Sequence, residues 1–381
     1  ASLYRLENNN GINYGMPWVK PTSTSPASAT TLLPINPASY YGMASDYNNG
    51  TATYATLAHT HRFDGETELT TRVRRGAYTR DQRASTIRLT AGENLSNFGP
   101  STALTRGTQN KIQDLDSVYL QSDLSAKFDA MGMRHELLSG MDMAREQKTV
   151  YTARTAAQGL GGVDLVKPNT TIGTPDDGAW VNESSRVLRV NNQYTSTAWG
   201  VYAQDLVQVA PHWKLLGGLR YDNLNGNYDT FAAPAVNANN GTLTNYKMNV
   251  SEWSKRVGGL FQPNERESYH FSAATSFNTS GDAYSLGANN ADVPPEESIN
   301  LELGAKIDSA DKNFTTRYAL FRSTKLHERN TDPLVDVAVL SGKRHATGLE
   351  LDFTGRITPR WEAYGSFMWI PDARIDEAYK S

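Results

Sequence analysis

Cysteine is absent from the 381 residues, which excludes a disulfide framework and every thiolate metal site. A surplus of one charge is absent too. The 37 basic residues stand against 40 acidic ones, a formal net charge of −3, so the chain presents no basic field to nucleic acid. No apolar run reaches the roughly 18–20 residues that a membrane helix needs, which excludes helical spans. A membrane crossed by strands stays open, because alternating strands are nearly invisible to hydropathy. Neither a Gly-x-Ser-x-Gly elbow nor a P-loop occurs. His135-Glu136-Leu137-Leu138-Ser139 starts like a zincin helix but lacks the second His and reads as strand. Gly159-Leu160-Gly161-Gly162 reads as a loop. His59 and His61 share a face, with no third metal ligand evident.

What is present is period-two alternation, many times over. Ile299, Leu301, Leu303, Ala305 and Ile307 oppose Asn300, Glu302, Gly304, Lys306 and Asp308. Val118, Leu120, Leu124, Ala126 and Phe128 oppose Tyr119, Gln121, Asp123, Ser125 and Lys127. Side chains alternate faces along a strand, so each segment has one oily and one polar surface. The chain is all-β. The pattern predicts about thirteen or fourteen antiparallel strands: a doubtful one at the N-terminus, then regions near 52–63, 68–84, 114–128, 133–150, 194–209, 214–230, 248–262, 268–277, 297–308, 313–325, 334–340, 345–356 and 361–374.

Alternation fits a soluble sandwich as well as a transmembrane barrel. Three features favour the barrel. Many strands run to roughly ten residues or more, against about 5–6 in globular proteins. Short turns near Asp64-Gly65, Ala130-Met131-Gly132, Ala210-Pro211-His212, Pro263-Asn264-Glu265, Ser309-Ala310-Asp311 and Thr358-Pro359 alternate with long connections at about 86–112, 153–192, 231–247 and 279–295, and a shorter one near 326–333. Short turns at one end and long loops at the other mark outer-membrane barrels. Phe63, Phe128, Trp213, Phe261 and Trp361 stand beside the short turns, where an interfacial aromatic girdle belongs. One residue resists: alternation puts Arg75 on the lipid side, so either a bulge shifts the register or Arg75 snorkels from near an interface.

Several stretches resemble a TonB-dependent ferric siderophore receptor of the catecholate type. They are Asn13-Tyr14-Gly15-Met16-Pro17-Trp18 followed by Tyr40-Tyr41-Gly42 and Asp46-Tyr47, and Thr275-Ser276-Phe277-Asn278-Thr279-Ser280-Gly281, in which Thr279 stands where the family usually has Pro. Pro294-Pro295-Glu296-Glu297 with Leu301-Glu302-Leu303-Gly304-Ala305-Lys306, and Thr347-Gly348-Leu349-Glu350-Leu351 with Gly355, Pro359 and Trp361, complete the series in order. The resemblance implies a bacterial outer-membrane barrel of ~22 strands around a plugged lumen. Residues 1–381 would form one partial barrel domain. The chain opens Ala1-Ser2-Leu3 and stops at Lys380-Ser381, so it reads as an interior piece without the plug, the TonB box or the closing strand.

Uptake rather than catalysis is what the resemblance implies. The partners would be a ferric siderophore, the TonB complex through the plug, and outer-membrane lipid. No cofactor is implied, since iron enters only within the bound siderophore. An anionic aromatic chelate calls for Arg beside Tyr or Trp. Arg72, Arg74, Tyr78 and Arg80 share a polar face, with Arg83 following; Tyr14, Trp18, Tyr40 and Tyr41 cluster near the N-terminus; Trp180 and Arg186 lie in the longest loop, and Tyr284 follows Asn278. These twelve are the candidate ligand contacts. Glu302, Lys306, Arg220, Asp222, Glu350 and Asp352 read rather as cross-strand ion pairs. Other readings remain: a hydroxamate, haem or cobalamin receptor, a non-energised structural or adhesive barrel, or a barrel-wall hydrolase.

Overall fold

In the computed structural model the chain is an antiparallel meander. The structure describes residues 1–13, 15–279, 286–288, 291, 293–332 and 337–377. Its strands are β1 (Ser2–Asn10), β2 (Trp18–Val19), β3 (Thr31–Leu32), β4 (Tyr47–Arg62), β5 (Thr67–Leu89), β6 (Ala103–Ala130), β7 (Met133–Ala153), β8 (Thr170–Thr171), β9 (Leu188–Ala210), β10 (Trp213–Phe231), β11 (Leu243–Asn264), β12 (Glu267–Asn278), β13 (Glu296–Asp308), β14 (Phe314–Asp332), β15 (Val337–Thr358) and β16 (Trp361–Glu377). The main sheet runs β1-β4-β5-β6-β7-β9-β10-β11-β12-β13-β14-β15-β16, with β8 appended to β6 and β2-β3 forming a separate ribbon. The N-terminal strand is real: Ser2 to Asn10 pair with Thr56 to Asn48. Residues 337–340 of the segment expected at 334–340 belong with the one expected at 345–356 to the single strand β15, while 334–336 lie outside the described residues. The polar stretch between them carries register shifts against β14 and β16, so a bulge, not a turn, interrupts the alternation.

Register sorts the two faces. Leu57 pairs with Val73, Val73 with Leu120, Leu120 with Met143 and Met143 with Trp199, an apolar row on one side. One residue along, Thr56, Arg74, Tyr119 and Ala144 make the row on the other. The apolar side chains are exposed, Leu57 at 64% and Leu303 at 57%. An uncovered apolar surface of this extent is a liability in water and a requirement in a bilayer. Beside the short turns the expected aromatics pair with neighbours: Trp213 meets Phe261 at 4.6 Å, His61 meets Phe63 at 4.5 Å and Phe128 stacks on His135 at 5.1 Å. His59 and His61 thus sit on the apolar face of the girdle end.

No register shift occurs along β5 against β4 or β6. Arg75 therefore does face outward, between Val73 and the small Ala77, beyond which Thr79, Asp81, Arg83 and Ser85 make that face polar. The strands run longer than expected: β5 has 23 residues and β6 has 28, whereas about 9–11 cross a bilayer. Leu89 still pairs with Leu104, which leaves only 90–102 as the connection expected at 86–112; the one expected at 153–192 contracts likewise to 154–187. Above the membrane water wets both faces, so the ladder continues after hydrophobic alternation has stopped.

Candidate functional site

The polar face carries guanidinium–aromatic pairs set by cross-strand register. Arg74 lies over the Tyr54 ring at 4.7 Å and donates from Nε to Thr56 Oγ1 at 3.0 Å. Tyr54 in turn stacks on Tyr4, 4.9 Å away. Tyr78 lies over Gly76, where any Cβ would meet its ring at 2.6 Å; the glycine makes room for the flat ring. Arg72 pairs with Asp123 at 3.1 Å, and Tyr202 Oη donates to the same carboxylate. Arg80 reaches Asn48 at 3.4 Å and Gln82 at 2.5 Å.

Further round the wall, Arg220 lies 5.3 Å from the Tyr202 ring centre. It donates to both Asp142 oxygens at 2.7 and 3.0 Å and to Asp222 at 2.8 Å. Gly200 makes room for it, since a Cβ there would meet the guanidinium at 2.3 Å. Arg220, Tyr202 and Asp142 line a recess of about 330 Å³ together with Gln121, Gln204 and Arg256. A larger recess of about 530 Å³ lies between β12 and β16, lined by Asn278, Asn300, Lys325 and Arg344 among others. Lys325 there pairs with Glu296 at 2.8 Å. Lys306 pairs with Asp308 at 3.2 Å and Glu302 with His270 at 2.7 Å, while Glu350 and Asp352 line a third recess beside them.

At the long-loop end, a buried charge network ties distant segments together. Lys167 and Asp46 have side chains only 1% exposed. Lys167 Nζ uses its three donors on Asp46 Oδ1 at 3.0 Å, the Ala84 carbonyl at 3.0 Å and Ser85 Oγ at 2.9 Å. Asp46 Oδ2 accepts from the Ser85 and Met43 amides at 2.9 and 3.1 Å. Glu183 stands 3.5 Å from Lys167 and 2.6 Å from Arg186, and Arg83 donates to its carbonyl and pairs with Asp81 at 2.9 Å. Arg106, fully buried, joins Asp177 at 2.8 Å and the Tyr41 carbonyl at 2.7 Å. The Arg106 hydrogen bond holds the Asp177 carboxyl below its usual range. Burial, then the Asp46 charge, pushes the Tyr40 hydroxyl up to about 12, so it stays a donor, here to the Met43 carbonyl at 2.9 Å.

The twelve candidate contacts thus fall into groups. Arg72 and Arg74 are exposed on the polar wall, with Tyr78 and Arg80 half-buried beside them. Trp18 and Trp180 are exposed in the loops, at 67% and 63%. Tyr41, Arg83 and Arg186 are engaged in the buried network, and Tyr40 lies against it. Tyr14 and Tyr284 lie outside the described residues. Sequence reasoning missed Asp46, Lys167, Glu183 and Arg106. Lys167 finds Asp46 across 121 positions, a pairing no local pattern announces. It also missed an apolar knot on the polar wall, Tyr194, Tyr228, Met248, Val250 and Leu286.

Comparisons with known proteins agree with this architecture. Over 385 aligned positions the chain is 26% identical to the catecholate siderophore receptor Fiu of Escherichia coli O6:H1, covering 93% of this chain and 48% of that protein. It is 25% identical to the probable TonB-dependent siderophore receptor PiuA of Acinetobacter baumannii, over 71% of this chain and 37% of that one. The chain thus spans about half the length of the curated relatives it matches. In structure it is similar to the siderophore receptor PiuA from A. baumannii, with a TM-score of 0.81, 21% identity and coverage of 100% and 54% of the two chains. The closed form of the ferric-catecholate import receptor Fiu from E. coli K12 gives 0.77, 21%, 97% and 55%. The family model described as TonB dependent receptor-like, beta-barrel, matches residues 2–380. The chain belongs to that family, as a stretch of bacterial outer-membrane β-barrel wall.

Proposed function

We propose that the full-length protein takes up a ferric siderophore, of the catecholate class, across the outer membrane. The observation that carries this reading is the polar wall, where Arg74–Tyr54 and Arg220–Tyr202 present guanidinium over aromatic faces. An anionic chelate built of aromatic rings is met there by charge and by ring contact together. The relatives named for catecholate siderophores support the same class. Arg72, Arg74, Tyr78 and Arg80 on the wall, with Trp18 and Trp180 at the loop end, are the contacts in this reading. Tyr41, Arg83 and Arg186 hold the loops that shape the entrance. Uptake against a gradient needs an energy source that a passive wall lacks, and coupling to TonB through a plug supplies it. The protein is then a transporter and not a catalyst. It needs no cofactor of its own, because iron arrives as cargo.

Titration of the full-length protein with ferric catecholates, read by Trp fluorescence, tests the substrate class. Saturable quenching at micromolar concentration or below is the expected result. Quenching by ferric hydroxamates, haem or cobalamin but by no catecholate would overturn the class.

A further inference from the structure

Between β11 and β12 the ladder stops early. Against β10, β11 stays paired to its long-loop end, Leu243 with Phe231. Against β12 its last pair towards that end is Arg256 with Ala274. β12 runs on to Asn278, but there it pairs with β13, Asn278 with Glu296. At the point of parting the Lys255 amide donates to Thr275 Oγ1 at 3.0 Å, a side chain in place of a ladder carbonyl. Among the described residues a seam therefore opens between β11 and β12.

Outward aromatics give its depth. Trp199, Tyr221 and Trp253 stand side by side on the outward face, ring centres 5.5 and 5.1 Å apart. Eight residues of β11 separate Trp253 from Phe261 of the short-turn girdle. That is about 26 Å of strand and about 20 Å of depth at the usual tilt, close to the height of an apolar band. Trp253 thus marks the outer boundary of the membrane. Arg256 and Ala274 lie on its short-turn side, so the seam starts within the apolar band.

Beside the seam the lumen wall turns apolar. Arg220, Asp222, Glu252 and Arg256 give way along the same face to Leu224, Val250 and Met248. These join Tyr194, Tyr228 and Leu286 in the knot, whose buried members are at most 7% exposed. Phe277 packs against that knot, although alternation from Phe271, Ala273 and Thr275 assigns it to the outward face. An outward residue reaches a lumen cluster because no ladder stands between them. Apolar surface therefore continues from the membrane side into the lumen. On the short-turn side of the knot lies the 330 Å³ recess with Arg256 and the Arg220–Tyr202 pair. Arg220 is engaged by Asp142 and Asp222, whereas Arg256 makes no ion pair among the described residues.

We propose that the seam admits the acyl tail of an amphiphilic ferric chelate, whose anionic head occupies the recess while its tail stays in the outer leaflet. The inference rests on the uptake reading above and narrows its cargo. A continuous ladder would pull the tail out of lipid as the head moves inward, and each methylene taken into water disfavours that transfer about fourfold. A seam lined by Phe277, Met248 and Val250 keeps the tail in apolar surroundings. Leu286 fills that space and is what the tail displaces. Arg256 meets the charge of the head.

The test uses the full-length protein in lipid nanodiscs and two ferric catecholates that differ only by a dodecanoyl tail, with binding read by Trp fluorescence. The unmodified protein should bind the acylated chelate tenfold or more tightly than the other. Ser254 and Ser276 would face each other if the ladder were extended, and these 381 residues contain no cysteine. Once oxidised to the disulfide, S254C with S276C should weaken the acylated chelate tenfold or more and leave the unacylated one within twofold; reduction should restore the difference. Without any crosslink, Val250→Ser with Phe277→Ser should lower the preference for the acylated chelate severalfold. Equal effects of the disulfide on both chelates, or on neither, would overturn the proposal, as would equal affinity of the unmodified protein for the two. Binding of neither chelate would sink the uptake reading itself and this inference with it.

Discussion

Replacing Lys167 by Met should loosen the loop end of the barrel without disturbing the wall. The side chain is 1% exposed and each of its donors is used. Met keeps most of the volume but leaves the buried Asp46 and Glu183 carboxylates without their shared cation. Removing one partner of a buried pair costs about 3–5 kcal/mol, because the remaining charge stays desolvated. At about 1.4 kcal/mol per tenfold change, local opening becomes roughly a hundred to a few thousand times more frequent. Hydrogen exchange in the full-length protein reads this directly at the Ser85 and Met43 amides, whose acceptor is Asp46. Amides at the short-turn end serve as the internal reference. Lys312→Met removes an exposed pair with Glu265 and should change exchange hardly at all. Combining Lys167→Met with Asp46→Asn should restore part of the protection. Exchange at Ser85 and Met43 within threefold of the unmodified protein would refute the argument.

Other consequences of the same geometry are open to test. The folded-state pKa of Asp177 is depressed by Arg106, so its contribution is complete above the ordinary carboxylate value of ~3.9 and fades as pH falls through the lower folded value. Proteolysis of the 168–179 segment should therefore accelerate only below about pH 4; release near pH 6 would contradict the assignment. Leu124→Arg, on the apolar face of β6, should destabilise the bilayer-embedded barrel by about 2–4 kcal/mol, whereas Ser125→Arg on the polar face should cost far less; equal costs in urea titrations would mean the faces are reversed. Changing Arg72, Arg74 and Arg80 together to Ala should weaken an anionic ferric chelate more than a neutral one, and equal effects would place the three in a purely structural role. Residues 1–381 alone leave β1 and β16 as sheet edges, which hydrocarbon does not tolerate. Expressed in isolation they should give no heat-modifiable monomer in gel electrophoresis, and a clean folded band would refute that.

The fold was legible because lipid on one side and polar lumen on the other impose a strict two-residue period. Ile299 to Asp308 announces β13 with no help from the rest of the chain. Alternation fades where water bathes both faces, which is why β5 and β6 outrun their expected bounds. A bulge within β15 mimics a turn for the same reason: alternation breaks while pairing persists. The polar-wall arginines could be placed on a face from sequence, since register follows from period. Their partners could not. Tyr202 reaches Asp123 across 79 positions, and Arg106 reaches Asp177 across 71. The fate of Arg83 and Arg186 is instructive: an Arg in a loop looks the same in sequence whether it faces solvent or a buried carboxylate. Arg75 looked like an anomaly only while its height along the strand was unknown.

The central claim is that this wall belongs to an energised ferric siderophore importer. Its most direct test is uptake of radiolabelled iron into cells that lack their own siderophore receptors and express the full-length protein. The prediction is saturable uptake of a ferric catecholate that disappears when TonB is deleted. Saturable uptake that persists without TonB, or none for any ferric siderophore while the barrel is folded in the outer membrane, would contradict it.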